Sequence, residues 1–439
     1  MADGFLIAAP QSGSGKTTIT LGLLRALSRD GHPVSSAKAG PDFIDPAFHS
    51  AATGRDCINL DPWAMRPELI RQLAHQSSDL LVVEGMMGLF DGGADGRGSA
   101  ADLAHLLGLP IVLVVDAAKQ SHSIAALVAG FRDHRRDINV AGVILNKVGS
   151  PRHEKMLREA LESISMPVLG CVMRDARLEQ KSRHLGLVQA REHGDLAGFL
   201  DGAADLIGES LDLPKLLALK RGVGGGEGSD GGGKASVLPP LGQRIAIARD
   251  DAFAFLYPHL VAGWRDQGAE LSFFSPLRDE YPETGCDAVY LPGGYPELHG
   301  ATLASNEKFK QGLKAAASSG AFVYGECGGY MVLGEALVDG DGESHQMANL
   351  LPLVTSFEKR KLHLGFRHAE VLQSVPFAPR GARLTAHEFH YSTIASAAAG
   401  QALFSAQDAR GEALGPCGML RGNVAGSYLH LIDLCETDV

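Results

Sequence analysis

The chain has 439 residues, of which 45% are hydrophobic and 21% are charged, a composition typical of a globular protein with two or three domains. Its net charge of −11 argues against general binding to nucleic acid or to an acidic membrane surface. No apolar run reaches the roughly 18–20 residues that span a bilayer, and the N-terminus has no signal segment. The six cysteines form no C-x-x-C pair, so we expect neither a disulfide framework nor a zinc site. Together these features predict a cytoplasmic protein.

A glycine-rich loop near the start of the chain joins a predicted strand, Phe5–Ala9, to a predicted helix, Ile19–Leu27. This order of strand, loop and helix is typical of a phosphate cradle, in which loop amides and the positive helix end face the phosphates. The Lys16 ammonium adds positive charge, and the Thr17 hydroxyl is suited to bind Mg²⁺. The predicted nucleotide-binding residues are Ser12, Gly13, Ser14, Gly15, Lys16, Thr17 and Thr18.

The loop departs from the usual pattern at Pro10, which stands where the first glycine is expected. Since proline has no N–H, the cradle must rely on the amides of Ser12–Thr17. The alternative is an ordinary glycine turn before a helix, and the strand before and the helix after favour the phosphate loop. The pattern leaves the choice between ATP and GTP open.

Residues 1–221 alternate short apolar runs with helical patterns, which predicts a parallel sheet covered by helices on both faces. Ligands of such sheets bind at the carboxyl ends of the strands, so the loops at these ends form the candidate site. The predicted strands are Phe5–Ala9, Val34–Lys38, Leu80–Glu84, Ile111–Val115, Gly142–Asn146 and Val168–Val172.

Several polar residues follow these strands. For Asp42 and Asp45, composition favours a turn or helix cap, whereas their place beside the phosphate loop favours metal or substrate binding. Glu84 ends an apolar strand, where phosphate-loop enzymes place a carboxylate that orients Mg²⁺ or its waters. Asp91 is either a turn residue, which the neighbouring glycines favour, or a second catalytic carboxylate. The pair Asn146–Lys147 fits a contact to a nucleotide base or a polar loop edge equally well.

Residues 222–242 are rich in glycine and cannot form a core, so we interpret them as a flexible linker. The linker divides the chain into two predicted domains, 1–221 and 243–439. In the second domain the alternation of strands and helices resumes. Its predicted strands are Arg244–Ala248, Leu271–Phe274, Ala288–Leu291 and Ala321–Tyr324.

The run Gly325–Gly329 follows a predicted strand and precedes a helical pattern, which is the outline of a nucleophile elbow. Such a turn would expose the sulfur of Cys327, and the helix N-terminus would favour the thiolate. The amides of Gly293 and Gly294 are suited to form an oxyanion hole. His430 is the candidate base because it ends a strand-like run. Its competitors are His363, His368, His387 and His390.

The second half resembles the class I, or triad, glutamine amidotransferases. The matching residues are Pro292–Gly294, Gly325–Gly329 and His430. The resemblance implies that Cys327 attacks the side-chain amide of glutamine, that His430 relays protons and that ammonia is released.

One departure concerns the group that orients His430. Most members of that family carry a Glu two residues after the His, where this chain has Ile432. Asp433 is one residue late, and Glu388 is a further candidate, so the orienting group stays open. The two histidines of His387–His390 would face opposite sides of a strand, and the motif therefore predicts no metal site.

The first half resembles the dethiobiotin-synthetase-like branch of the phosphate-loop enzymes, and Gln11 stands where the MinD/ParA relatives carry a Lys. The two halves in this order resemble the cobyrinic and hydrogenobyrinic acid a,c-diamide synthases of cobalamin biosynthesis. The runs Asn59–Met65 and Val354–Phe357 are most similar to the aerobic, cobalt-free branch. The resemblance covers nearly the whole chain and rests on Ala9–Thr18, Lys38–Pro46, Glu84–Gly88, Leu291–Leu298, Gly325–Leu333 and Ala386–Tyr391.

This resemblance implies an α/β fold with an N-terminal P-loop, parallel-sheet domain and a C-terminal class I glutamine amidotransferase domain. It implies amidation of the a and c acetate side chains of hydrogenobyrinic acid through an acyl phosphate, with ATP, Mg²⁺ and ammonia from glutamine. The residues it implies are Thr17, Asp42 and Glu84 for Mg²⁺, Asp45 and Asp91 for positioning ammonia or the substrate carboxyl, and Phe43 and Ile44 for the substrate.

The implied partners are small molecules, hydrogenobyrinic or cobyrinic acid and L-glutamine, without nucleic acid or membrane. The sequence leaves open the order of amidation, the presence of cobalt in the ring, the path of ammonia and the oligomeric state, for which a homodimer is one option. The rivals are the same reaction on cobyrinic acid, a cobyric acid synthase, a synthase acting on a nickel tetrapyrrole, and a MinD/ParA-like nucleotide switch. Gln11 and the elbow around Cys327 argue against the switch.

Overall fold

The computed structural model describes residues 3–76, 79–178, 182–183, 186–187, 190–224, 235–398 and 400–435. The chain forms two compact units. The first is made of Met1–Trp63, Pro67–Gly92 and Gly96–Ala235, and the second of Ala64–Arg66, Gly93–Asp95 and Ser236–Val439. Of the predicted linker, residues 225–234 lie outside the described part of the chain. Within the described part, no helix combines the length and apolar character needed to cross a membrane.

The first unit contains ten strands and eight α-helices within the described residues. The strands are β1 (Asp3–Ala8), β2 (Val34–Ala39), β3 (Ile58–Leu60), β4 (Leu80–Glu84), β5 (Ile111–Asp116), β6 (Val140–Val148), β7 (Val168–Met173), β8 (Ser182–Arg183), β9 (Gly186–Leu187) and β10 (Arg221–Gly222). The helices are α1 (Lys16–Arg29), α2 (Asp45–Thr53), α3 (Pro67–Ala74), α4 (Ala100–Leu107), α5 (Ile124–Asp133), α6 (Pro151–Glu162), α7 (Leu196–Ser210) and α8 (Leu213–Leu217).

Seven of these strands form a parallel sheet in the order β3-β2-β4-β1-β5-β6-β7, and β10 pairs antiparallel with β1. The predicted strands are present with ends shifted by at most two residues. The strand β3 was not predicted because three residues give no periodic signal. In the register of the sheet Glu84 pairs with Ile7 and with Lys38, so the loops after β1, β2 and β4 meet at one edge.

The second unit contains fifteen strands and four α-helices within the described residues. The strands are β11 (Arg244–Ala248), β12 (Glu270–Phe274), β13 (Ala288–Leu291), β14 (Phe322–Glu326), β15 (Ala336–Val338), β16 (Ser344–Gln346), β17 (Leu353–Ser356), β18 (His363–Val371), β19 (Arg383–His390), β20 (Thr393–Ala397), β21 (Phe404–Asp408), β22 (Ala413–Cys417), β23 (Met419–Arg421), β24 (Val424–Ser427) and β25 (Leu429–Leu434). The helices are α9 (Pro258–Asp266), α10 (Gly300–Ser305), α11 (Glu307–Ser318) and α12 (Gly328–Leu333).

These strands form three sheets. The first, in the order β12-β11-β13-β14-β24-β23, is parallel except for β23, and it contains all four strands predicted for this half. The second, β22-β21-β18-β19-β25, is antiparallel, and the third, β16-β15-β17-β20, is mixed. The second and third sheets were not predicted, apart from the strand-like run that ends at His430. This run lies in β24, which belongs to the first sheet, and in β25, which belongs to the second. Strands such as β18 and β20 are half-buried or exposed along most of their length, so they lack the unbroken apolar runs of a buried parallel sheet.

Candidate active sites

The phosphate loop lies between β1 and α1. Gly13 and Gly15 have φ values of +80° and +85°, a left-handed conformation that side chains rarely adopt. Gly15 directly precedes α1, and no described side chain caps this helix, so its first amides point into the loop. The loop is closed internally, because the Ser14 hydroxyl donates to the Gln11 carbonyl at 2.8 Å. This geometry is that of an anion site at a helix N-terminus.

The pair Asn146–Lys147, at the end of β6, holds the phosphate loop in place. Asn146 Nδ2 donates to the carbonyl of Ser14 at 2.8 Å, and Lys147 Nζ donates to the carbonyl of Gly13 at 2.9 Å. Lys147 also forms a 2.7 Å ion pair with Asp116 at the end of β5. These contacts are those of a polar loop edge, and the contact to a nucleotide base stays a prediction.

Glu84 is the centre of a buried polar cluster at the end of β4. Its Oε1 accepts hydrogen bonds from the Thr17 hydroxyl at 2.6 Å and from Lys38 Nζ at 2.9 Å, and it lies 3.8 Å from Lys16 Nζ. Burial alone would raise the pKa of Glu84, but Lys38, His49 and Lys16 together hold it well below its ordinary value. Glu84 is therefore a fixed negative charge beside the phosphate loop.

Asp42 and Asp45 contribute to this cluster in different ways. Asp45 Oδ2 lies 2.5 Å from Lys38 Nζ and accepts a 3.4 Å hydrogen bond from the Thr17 hydroxyl. Asp42 Oδ1 accepts the backbone N–H groups of Ile44 and Asp45 at 2.8 and 3.0 Å, which is turn and cap geometry. Burial and the neighbouring Asp45 raise the pKa of Asp42 to about 6. The carboxylate that reaches Thr17 is thus Asp45, whereas the predicted metal ligand Asp42 binds amides.

Two lysines supply the positive charge of the cluster. Burial and the nearby Lys38 lower the pKa of Lys16. Burial opposes the charge of Lys38 as well, but Asp45 and Glu84 raise the pKa of Lys38 above its ordinary value. Lys38 is therefore held as a cation between the two carboxylates.

His49 is a functional candidate that sequence reasoning missed. It is fully buried on α2, its Nε2 lies 2.7 Å from Glu84 Oε2, and its Nδ1 lies 3.6 Å from Cys57 Sγ. Burial opposes protonation, but Cys57 and Glu84 raise the pKa of His49 to about 10. A usable signal was its spacing of four residues after Asp45, which places both side chains on one face of α2.

The oxygen atoms of this cluster fit a small divalent cation. Thr17 Oγ1, Glu84 Oε1 and Asp45 Oδ2 meet at the edge of the sheet where the phosphate loop ends. A hydroxyl and carboxylates are the hard oxygen ligands that Mg²⁺ prefers.

The remaining predicted residues of this half lie in the loops around the cluster. The exposed Asp91 accepts the Gly88 amide N–H at 2.8 Å, the turn role that the neighbouring glycines indicated. Phe43 and Ile44 are half-buried in the loop after β2. Asn59, which the sequence did not single out by itself, braces this loop by donating to two of its backbone carbonyls at 3.0 and 2.7 Å.

Cys327 lies in the sharp turn between β14 and α12, with φ +48°. Glycine is required two residues later, because a Cβ on Gly329 would lie less than 3.0 Å from the Leu291 carbonyl oxygen. The expectation of an exposed sulfur is wrong, since Cys327 is only 3% exposed and its thiol contacts the carbonyl of Phe389 in β19 at 3.8 Å. Burial, followed by Glu297, raises the pKa of Cys327, so the thiol needs a base.

Gly293 brings Cys327 and His430 together. A Cβ placed on Gly293 would lie 3.3 Å from Cys327 Cβ and 3.3 Å from His430 Nε2, and closer than 3.0 Å to His430 Cε1. The backbone nitrogen of Gly294 lies on the same side of the elbow, 3.0 Å from the position of a Cβ on Gly328. The structure therefore brings the predicted nucleophile, base and oxyanion-hole glycines into one site.

His430 lies in β25, opposite His387 of β19, and is 1% exposed. Burial, with the neighbouring His387 and His390, lowers the pKa of His430 to about 3. The resting imidazole is therefore neutral, and its uptake of a proton requires a neighbouring group that stabilises the imidazolium ion.

The two carboxylates considered as orienters of His430 are engaged elsewhere. Asp433 accepts hydrogen bonds from the Arg66 amide at 2.8 Å and from its guanidinium at 3.0 Å. Glu388 binds Arg367 at 2.8 Å and His390 at 3.0 Å.

A group that could hold a metal is formed by His363, Glu388 and His390, whose ligand atoms lie within 4.8 Å of one another. The two imidazole rings stack face to face, with centroids 4.6 Å apart and an angle of 6°. A metal must lie in the plane of each imidazole to meet its lone pair, and Arg367 already neutralises Glu388. We therefore assign no metal to this group.

Known proteins match both halves of the chain. Residues 5–188 match the family described as CobQ/CobB/MinD/ParA nucleotide binding domain, and residues 244–436 match the family described as CobB/CobQ-like glutamine amidotransferase domain. These matches confirm the predicted fold class, a P-loop parallel-sheet domain followed by a glutamine amidotransferase domain.

Three curated relatives match nearly the full length. The hydrogenobyrinate a,c-diamide synthase of Rhizobium meliloti (strain 1021) is 57% identical over 437 residues, 99% of this chain and 100% of the relative. The enzyme of the same name from Brucella anthropi is 57% identical over 98% of this chain and 99% of the relative. That from Brucella abortus biovar 1 is 56% identical over 98% of both.

Proposed function

Since the chain belongs to the family of the hydrogenobyrinate a,c-diamide synthases, we propose that it amidates the a and c acetate side chains of hydrogenobyrinic acid with ATP and glutamine. The observation that carries this proposal is the near-full-length identity to relatives of that name, which spans both candidate sites. The same reaction on cobyrinic acid is the alternative for the substrate.

The first unit would activate the carboxylate. A carboxylate is a poor electrophile, so its oxygen attacks the γ-phosphate of ATP, ADP leaves, and the acyl phosphate then loses inorganic phosphate to attacking ammonia. Lys16 and the amides of the phosphate loop stabilise the transferring phosphoryl group. Thr17, Glu84 and Asp45, with Asp42 beside them, would hold Mg²⁺, which supplies positive charge to the phosphates.

The other polar residues of the first unit would prepare this site. Lys38 and His49 keep Glu84 ionised, because both lie within 3 Å of its carboxylate oxygens. Asp45 and Asp91 would position ammonia or the substrate carboxyl, and the loop with Phe43 and Ile44 would contact the substrate.

The second unit would supply ammonia. His430 takes the thiol proton of Cys327 while Sγ attacks the side-chain amide carbon of glutamine, and the proton then leaves with ammonia. Water hydrolyses the resulting thioester to glutamate. The amides of Gly293 and Gly294 stabilise the oxyanion of each tetrahedral intermediate.

We further propose that the enzyme acts in the cytoplasm. All six cysteines are free thiols, as is usual in a reducing compartment.

Two variants test the division of labour. Cys327→Ala should abolish glutamine-dependent synthesis and retain synthesis with ammonium salt, because the nucleophile serves only ammonia release. Lys16→Ala should abolish synthesis with either nitrogen source. Full glutamine-dependent turnover by Cys327→Ala would contradict the role of the nucleophile, and absence of ATP- and glutamine-dependent turnover of both acids by the unaltered enzyme would contradict the proposed function.

A further inference from the structure

Glu326 directly precedes the candidate nucleophile and is 2% exposed at the end of β14. Its Oε2 accepts a hydrogen bond from the Tyr290 hydroxyl at 2.8 Å, and its Oε1 accepts the Leu431 amide N–H at 3.3 Å. Oε2 also lies 3.9 Å from His430 Nδ1. The carboxyl group is therefore held between the elbow and the strand that carries the candidate base.

This position answers the question of what orients His430. The Glu expected two residues after the His is replaced by the buried Ile432, and the carboxylates of Asp433 and Glu388 bind arginines. Glu326 approaches Nδ1 of the His430 imidazole from strand β14.

We propose that Glu326 is the positioning residue of His430, accepting the Nδ1–H so that Nε2 faces Cys327 as the acceptor of its thiol proton. This inference rests on the proposed roles of Cys327 and His430. The 3.9 Å separation must shorten by about 1 Å to reach an ordinary hydrogen bond. Such tightening is usual, because catalytic hydrogen bonds in ligand-free enzymes are often long and close when substrate binds. The bonds from Tyr290 and Leu431 already fix the plane of the carboxyl group.

The chemistry of the pair is consistent with this role. When His430 receives the thiol proton it becomes an imidazolium ion in a buried site, where a nearby carboxylate stabilises it strongly. The proton moves from Cys327 Sγ to His430 Nε2, and Nδ1 keeps its own proton on the hydrogen bond to Glu326. The carboxylate fixes the tautomer and does not react with substrate.

The ionisation of Glu326 predicts how glutamine hydrolysis depends on pH. Burial raises the pKa of Glu326 to about 8, against the opposing hydrogen bonds from Tyr290 and Leu431. The titratable groups that face it are Tyr290 on β13, Tyr324 on its own strand and His430 on β25. Because the carboxylate is the form that accepts the Nδ1–H, glutamine hydrolysis should rise as the pH increases through about 8. Glu326→Gln leaves Cys327 in place but replaces the carboxyl group by an amide, which does not titrate. Glutamine hydrolysis by this variant should therefore lack the rise.

Kinetics of the full-length enzyme test the proposal first. Glu326→Gln should lower kcat for glutamine hydrolysis about 100-fold with KM for glutamine within about threefold, and ammonia-dependent synthesis should stay at the level of the unaltered enzyme. Glu326→Asp should recover part of the lost kcat. Tyr290→Phe is the matched control, because it removes one hydrogen bond to Glu326 but leaves the carboxyl group, so its kcat should fall by less than tenfold.

A spectroscopic signature separates positioning from a merely structural role. In ¹⁵N-histidine-labelled enzyme, the Nδ1 signal of His430, assigned with His430→Asn, should shift in Glu326→Gln and not in Tyr290→Phe. A wild-type kcat or an unchanged His430 Nδ1 signal in Glu326→Gln would overturn the proposal. Should this variant lose ammonia-dependent synthesis too, the pH profile of Glu326→Asp decides, because Asp keeps a titrating carboxyl group. Glutamine hydrolysis that still rises with pH in Glu326→Asp supports the role, and a rate that does not depend on pH overturns it. Glutamine-dependent turnover by Cys327→Ala would instead contradict the proposed function itself.

Discussion

Replacing Gly293 with alanine tests whether this glycine sets the approach of Cys327 and His430. The added Cβ would lie less than 3.0 Å from His430 Cε1, whereas carbon atoms in contact are about 3.5–4.0 Å apart. The imidazole or the glycine loop must therefore move by roughly 1 Å, and a misplacement of that size can cost about 100-fold in rate. Gly293 does not have a positive φ, so the effect comes from this contact and not from backbone strain.

The assay compares glutamine-dependent and ammonia-dependent synthesis in Gly293→Ala. We expect the first rate to fall about 100-fold and the second to be unchanged, because the perturbation lies in the glutaminase site. Gly202→Ala is the control, since beyond the backbone of its own helix α7 its Cβ would meet no atom within 4 Å. A glutamine-dependent rate equal to that of the control, or an equal loss of both rates, would show that Gly293 does not set the approach of Cys327 and His430.

Three further variants probe the first unit. The pKa of His49 is raised from 6.5 to about 10, so its protonation stabilises the fold fully below pH 6.5, and this contribution is lost as the pH rises through about 10. His49→Gln should therefore lower the melting temperature most at acid pH. A loss of melting temperature that does not depend on pH would contradict this prediction. Asn146→Ala removes the donor to the Ser14 carbonyl and should raise KM for ATP about tenfold, equivalent to ~1.4 kcal/mol, without changing glutamine hydrolysis; an unchanged KM would remove Asn146 from loop positioning. Lys38→Met removes the cation between Asp45 and Glu84 and should lower ATP-dependent synthesis at least about 100-fold. Alkylation of Cys327 by a glutamine analogue should continue in this variant. Sustained synthesis would contradict the role of Lys38 in the first site.

The parallel strands and the phosphate loop could be predicted because their signals are local. An unbroken apolar run such as Leu80–Glu84 indicates a buried strand by itself, and the glycine pattern before Lys16 indicates the loop. The rule that ligands bind at the carboxyl ends of parallel strands then placed Glu84 beside the loop, as the structure shows.

The contacts that could not be predicted join elements distant in sequence. Lys38 and His49 meet Glu84 only because β2 pairs with β4 and α2 packs over this edge. The elbow pattern predicted an exposed thiol, but Cys327 is covered by β19, a strand of an antiparallel sheet without a strong local signal. Glu326 lies within the elbow motif Gly325–Gly329, and nothing in the sequence indicates its approach to His430.

In the proposed reaction, ammonia released in the second unit amidates a carboxylate activated in the first. This transfer is tested most directly when the full-length enzyme is supplied with hydrogenobyrinic acid, ATP, Mg²⁺ and glutamine labelled with ¹⁵N at the side-chain amide, and the corrinoid is analysed by mass spectrometry. We predict that ¹⁵N appears in both new amides, and that Cys327→Ala yields labelled product only when ¹⁵N-ammonium replaces glutamine. A corrinoid that remains unamidated under both conditions, or label that enters from glutamine in Cys327→Ala, would contradict this transfer of ammonia.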